Sequence, residues 1–99
     1  MQSNFKDIIS VNKPVLIDFH ADWCGPCQTM APILKEVKDH MGDRIHIIKI
    51  NVDQNKELAA RFQIRGVPTF MIFKNGSHLW RQSGLLSKKD LIDLLNSYA

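Results

Sequence analysis

Two cysteines, Cys24 and Cys27, stand three positions apart in the run Trp23-Cys24-Gly25-Pro26-Cys27. A pair at this spacing closes a loop too small to restrict the unfolded chain much. It therefore reads as chemistry or metal binding rather than as a structural staple. The chemistry open to it is thiol–disulfide exchange, in which a thiolate attacks one sulfur of a target disulfide. A second thiol one helical turn away can then attack the mixed disulfide, free the reduced target and leave Cys24 bonded to Cys27. Metal ligation, with His20 as a third ligand, is the competing reading. A structural zinc site needs four ligands, and the chain has no second pair at similar spacing, so no metal is expected.

Cys24 falls where an apolar strand over 15–19 ends and the next helix begins. Helix N-termini carry free N–H groups and a partial positive charge, both of which stabilise a thiolate. Cys27 lies one turn further in, where burial should raise its pKa and hold it protonated until needed. The candidate acceptor for that proton is Asp18, a carboxyl group inside Val15-Leu16-Ile17-Asp18-Phe19, where desolvation should raise its pKa toward neutrality. Lys49 interrupts a neighbouring apolar strand in the same way and is expected to partner Asp18, directly or through water. A purely structural buried pair is the alternative.

The elements that must hold these groups follow from periodicity. Residues 4–10 read as a short helix capped by Ser3 or Asn4. Met30, Ile33, Leu34, Val37 and Met41 recur at helical spacing after the cysteines, Pro32 should bend that helix, and Gly42 should stop it. Residues 45–52 form a β-branched strand, and Asn55 is a candidate cap for a short helix carrying Leu58, Ala59 and Phe62. The runs 69–74 and 77–82 flank Asn75-Gly76, a strong two-residue hairpin signal because a type I′ turn needs positive φ at both positions. Ser87-Lys88-Lys89-Asp90 resembles a capping box before a last helix with Leu91, Leu94, Leu95 and Tyr98 on one face. The order α-β-α-β-α-β-β-α predicts an α/β fold: a mixed sheet with helices on both faces, its first two strands parallel and its last two antiparallel.

A chain of 99 residues is read as a single domain over 1–99. Its composition, 44% hydrophobic and 23% charged, is that of an ordinary globular protein, which excludes low-complexity and membrane-spanning classes. The net charge of +3 comes from scattered Lys and Arg, which argues against nucleic-acid binding. The first residues carry no apolar export signal, so a cytoplasmic location is expected.

From about Phe5 onward the chain resembles the thioredoxin family. The likeness rests on Trp23-Cys24-Gly25-Pro26-Cys27 together with Asp18-Phe19, Pro32, Lys49, Asp53, Gly66-Val67-Pro68-Thr69, Phe73-Lys74-Asn75-Gly76, Gly84 and Leu86-Ser87-Lys88. It implies a thioredoxin fold, a cis Val67-Pro68 bond facing the cysteines, and a docking surface of Trp23, Gly25, Pro26, Val67, Pro68, Gly84 and Leu85. It further implies disulfide-containing target proteins as partners, thioredoxin reductase as electron donor, no bound cofactor, and a monomer. The thiol pKa known for thioredoxin itself is near 7, against about 8.5 for a free thiol, which raises the thiolate fraction at neutral pH from roughly 3% to roughly half.

Three departures from that pattern stand out. The family's usual first strand has only Met1-Gln2-Ser3 to draw on, so it should be absent or vestigial, leaving four strands and an edge at 45–52. His20 stands where many members have Trp, and the charge is basic where many are acidic. Two other functions compete with a reductase. An oxidase or isomerase on the same fold would have a potential of about −120 to −180 mV, against about −270 mV for thioredoxin. A non-redox binding subunit would keep its activity with both cysteines replaced by serine.

Overall fold

The computed structural model describes residues 2–99. Helix α1 (Gln2–Ile9) precedes strand β1 (Val15–His20), helix α2 (Gly25–Met41), a 3₁₀ turn at Gly42–Arg44, and strand β2 (His46–Asn51). Helix α3 (Lys56–Arg61), strands β3 (Thr69–Lys74) and β4 (Ser77–Ser83), and helix α4 (Lys88–Tyr98) complete the chain. Among the described residues the sheet has four strands in the order β2-β1-β3-β4. β1 runs parallel to β2 and antiparallel to β3, and β3 pairs antiparallel with β4. β2 lies at one edge of the sheet, as expected from the sequence.

Both faces of the sheet are covered. On one side Leu16, Phe70 and Ile72 pack against Met30, Leu34 and Val37 of α2 and Leu91 and Leu95 of α4. On the other, Val15, Ile17, Phe19, Met71 and Phe73 meet Phe5 and Ile9 of α1 and Leu58 of α3. Strand alternation produces this division, and it puts Asp18 and His20 on the same face as Leu16, toward α2. Burying one such aliphatic or aromatic side chain contributes about 1.5–3 kcal/mol, so the two layers fix β1 firmly between helices.

The helix ends show where local chemistry decided. Ser87 caps α4, its side chain accepting the Asp90 N–H. In the hairpin turn Asn75 has φ 53° and Gly76 φ 80°, the two positive values the sequence demanded. Helix α2 runs through Pro32, which lies on its exposed side, and ends at Gly42 with φ 57°. Two expectations need correction. The first helix begins at Gln2, so Asn4 lies within it rather than capping it, and the Ser3 side chain lies outside the described residues. Asn55 occupies the cap position of α3 but its Oδ1 accepts no cap hydrogen bond; its Nδ2–H donates to the Asn51 carbonyl. The 3₁₀ turn after Gly42 had no periodic signal to announce it.

Candidate functional site

Strand β1 ends at His20, and Ala21 to Trp23 turn the chain into α2. Cys24 is the N-cap of that helix, in extended conformation at φ −91° and ψ 110°. Gly25 and Pro26 occupy the first two helical positions, where proline's missing N–H costs nothing. The Cys27 N–H donates to Cys24 Sγ at 3.1 Å, so the first sulfur receives one of the free donors at the start of the helix. The two sulfurs are joined as a disulfide, with the Cα atoms 5.2 Å apart.

Across from them the Val67-Pro68 bond is cis. The Val67 carbonyl oxygen lies 3.5 Å from Cys24 Sγ, which sets the backbone before Pro68 directly against the first sulfur. The Pro68 carbonyl accepts the Gly84 N–H at 2.9 Å, and Gly84 has φ +96°, a conformation that favours glycine. Leu85 follows it, 58% exposed, and Trp23 is 71% exposed, so two large apolar side chains are left in solvent near the sulfurs. Exposed apolar groups around a reactive centre suit docking of another chain. Pro26 and Gly25 are exposed on the same rim, and a side chain at Gly25 would meet no atom within 4 Å.

Burial does not separate the cysteines in the way the sequence suggested. Cys24 is 4% exposed and Cys27 8%, so both sulfurs are shielded in the disulfide form. What distinguishes them is their surroundings. Cys24 faces the Val67 carbonyl, whereas Cys27 faces a cleft that it shares with Asp18, His20 and Lys49.

Asp18 is 4% exposed, and its Oδ1 has no hydrogen-bond partner among the described residues. Burial pushes its carboxyl above the ordinary carboxylate range, and the positive charges of His20 and then Lys49 pull it back in part. Lys49 is the register partner of Asp18 across β1 and β2, but its side chain is exposed and makes no direct ion pair with that carboxyl, so it acts through space. Among the described residues no cluster of three or more His, Cys, Asp or Glu is arranged to hold a metal ion. No helix among them is long and apolar enough to cross a membrane.

The structure thus brings together Cys24, Cys27, Asp18, Lys49, Val67 and Pro68, and surrounds them with Trp23, Gly25, Pro26, Gly84 and Leu85. One contributor had no assigned role from the sequence. Asp53 Oδ2 accepts the Trp23 Nε1–H at 2.9 Å and so orients the exposed indole. The two residues are 30 apart in the chain and no spacing rule joins them.

A sequence model of the family described as Thioredoxin matches residues 1–97. The chain is 46% identical over 96 residues to a protein of Oryza sativa subsp. japonica named Thioredoxin Y, chloroplastic, covering 96% of this chain and 57% of that protein. It is 44% identical over 91 residues to a thioredoxin of Acidithiobacillus ferridurans, covering 92% and 84% of the two chains. Among solved structures, a mutant thioredoxin from Halobacterium salinarum NRC-1 superposes with a TM-score of 0.89 at 39% identity, over 99% of this chain and 85% of that one.

Proposed function

The chain belongs to the thioredoxin family, and from that membership and the geometry of its CxxC site we propose that it is a general protein-disulfide reductase. Cys24 is the attacking sulfur. Its thiolate bonds to one sulfur of a target disulfide and the other target sulfur leaves as a thiolate. Cys27 is the resolving sulfur: it attacks Cys24 Sγ, the Cys24–target bond breaks, and the second target thiolate departs. The target gains two electrons, and the protein ends with the Cys24–Cys27 disulfide. The proton of Cys27 goes to Asp18, whose carboxyl burial makes more basic than an ordinary carboxylate. Lys49, on the neighbouring strand, steadies the Asp18 carboxylate through space before it takes that proton.

The observation that carries this reading is the N–H of Cys27 directed at Cys24 Sγ from the start of α2. The same donor is available to a thiolate, where a charge-assisted hydrogen bond is roughly twice as strong as a neutral one. The backbone at Val67 supports a second part of the reading. An extended target segment can align there by main-chain hydrogen bonds, which tolerate many side-chain sequences. Trp23, Gly25, Pro26, Gly84 and Leu85 give that segment an apolar surface to cover. The chain carries no cofactor of its own in this scheme and is recharged by an external dithiol donor, thioredoxin reductase in our reading. It acts as a monomer in a compartment kept reducing, for which the cytoplasm is our choice.

The test is reduction of a disulfide-bonded protein, driven by dithiothreitol, alongside two single variants. Cys27→Ser should accumulate covalent complexes with the target, and Cys24→Ser should accumulate none. A reversed trapping pattern would exchange the two roles. Full activity in a variant with both cysteines replaced by serine would make the chain a binding module.

A further inference from the structure

The proton that Asp18 takes from Cys27 can return to Cys27 when the disulfide is reduced again or exchange with solvent, and for exchange it needs a route, because the carboxyl is buried at 4% exposure. The cleft above it shows where that exit lies. It has a volume of about 230 Å³ and is lined by Asp18, His20, Asp22, Cys27, Gln28 and Lys49, among others. Water takes about 30 Å³ per molecule in the liquid, so this space has room for a short chain of waters between polar walls. Asp18 Oδ1, unpartnered among the described residues, is the atom such a chain would reach. His20 is two residues further along β1 on the same face, half-buried at the end of the strand.

The other groups facing the cleft cannot accept the proton as His20 can. Lys49 is an ammonium with no lone pair. Gln28 carries an amide, which does not titrate. Asp22 is a carboxylate, an intrinsically weaker base than imidazole, and its Oδ1 accepts the Asn51 Nδ2–H at 3.3 Å. Imidazole is the side chain that gains and loses a proton between pH 5 and 8, and its two nitrogens can receive on one side and release on the other.

We infer that His20 is the outlet of a proton relay running from Cys27 through Asp18 to solvent. The inference rests on the reductase reading above. In the release step the Cys27–Cys24 bond forms and the Cys24–target bond breaks. The Cys27 proton passes to the Asp18 carboxylate and then, through the cleft, to neutral His20. The imidazolium gives it to bulk water, and the departing target thiolate draws its own proton from solvent. No oxidant or further reductant enters. His20 touches neither sulfur; it is a positioning residue that acts through Asp18. Its charged form also lowers the cost of ionising that carboxyl, in keeping with the through-space effect noted above.

The experiment separates the two chemical steps by rapid-quench kinetics on a disulfide-bonded protein substrate between pH 5.5 and 9. In His20→Gln the release step at pH 7 should slow by about tenfold, below the 10²–10⁴ supplied by a proton-transfer group in direct contact, while the first attack stays within about twofold. The wild-type release profile should carry an inflection within the scanned range that His20→Gln lacks. In His20→Ala, added imidazole should restore release in proportion to its concentration, a rescue that a purely structural role would not give. Release in both variants matching wild type at every pH overturns the relay and leaves the reductase reading standing. Slowing without a change of profile and without rescue also overturns it. A wild-type protein that forms no mixed disulfide would overturn both readings together.

Discussion

A buried carboxyl group is destabilising unless something compensates it, and Asp18 is only partly compensated. Its Oδ1 is unpartnered among the described residues, and Lys49 reaches it only through space. The sign of the effect follows from its raised pKa. The folded state holds the Asp18 proton more tightly than the unfolded state, so stability from this group is full below about pH 4 and is lost as pH rises through the folded-state pKa. Asp18→Asn removes that loss. At pH 7 the variant should melt higher than wild type, by about 5 °C for each kcal/mol in a domain of this size, with the difference vanishing near pH 3. Calorimetry across that range checks it; a variant less stable at pH 7 and equally so at pH 3 would mean the carboxylate is favourably paired. The sequence made Asp18 visible because one charged residue interrupts an otherwise apolar strand. It did not disclose the near-equal burial of Cys24 and Cys27, since burial at a helix start depends on what the loop around Pro68 brings over it.

At the scale of elements, most of what positions the site is local and was readable. The N-cap at Cys24, the stop at Gly42, the Ser87 cap and the Asn75-Gly76 turn all depend on the conformational preferences of a few adjacent residues. Those preferences have a testable cost. At Gly76 a side chain would have space, its nearest neighbour being Ser10 Oγ at 3.6 Å, so the φ of +80° alone sets the penalty. Gly76→Ala should therefore lower unfolding stability by about 1–2 kcal/mol, seen as a lower urea midpoint at unchanged slope. A neutral effect would show that the turn relaxes without loss. What escaped the sequence at this scale was the orientation of one side chain. Asn55 is a good capping residue, but its side chain is oriented by an Nδ2–H bond to the Asn51 carbonyl four residues back and its Oδ1 caps nothing.

Across the whole molecule, function depends on two segments far apart in the chain meeting at one end of the sheet. Cys24 at the start of α2 and Val67-Pro68 before β3 are 43 residues apart, and the pairing of β1 with β3 brings them together. The order of β1 next to β3 follows no local rule, and a cis bond is expected at only about 5–6% of X–Pro positions, so this half of the site came from family resemblance rather than from the residues themselves. The cysteine half came from spacing and helix electrostatics alone. In the proposed reading both halves serve one end, which is a sulfur at a helix start that attacks a docked disulfide. The most direct measurement is the rate of alkylation of each thiol in the reduced protein as a function of pH, with the modified residue identified by mass spectrometry. The account predicts that Cys24 reacts first, with a midpoint below the value of about 8.5 for free cysteine. Alkylation of both thiols following the free-cysteine profile would contradict it.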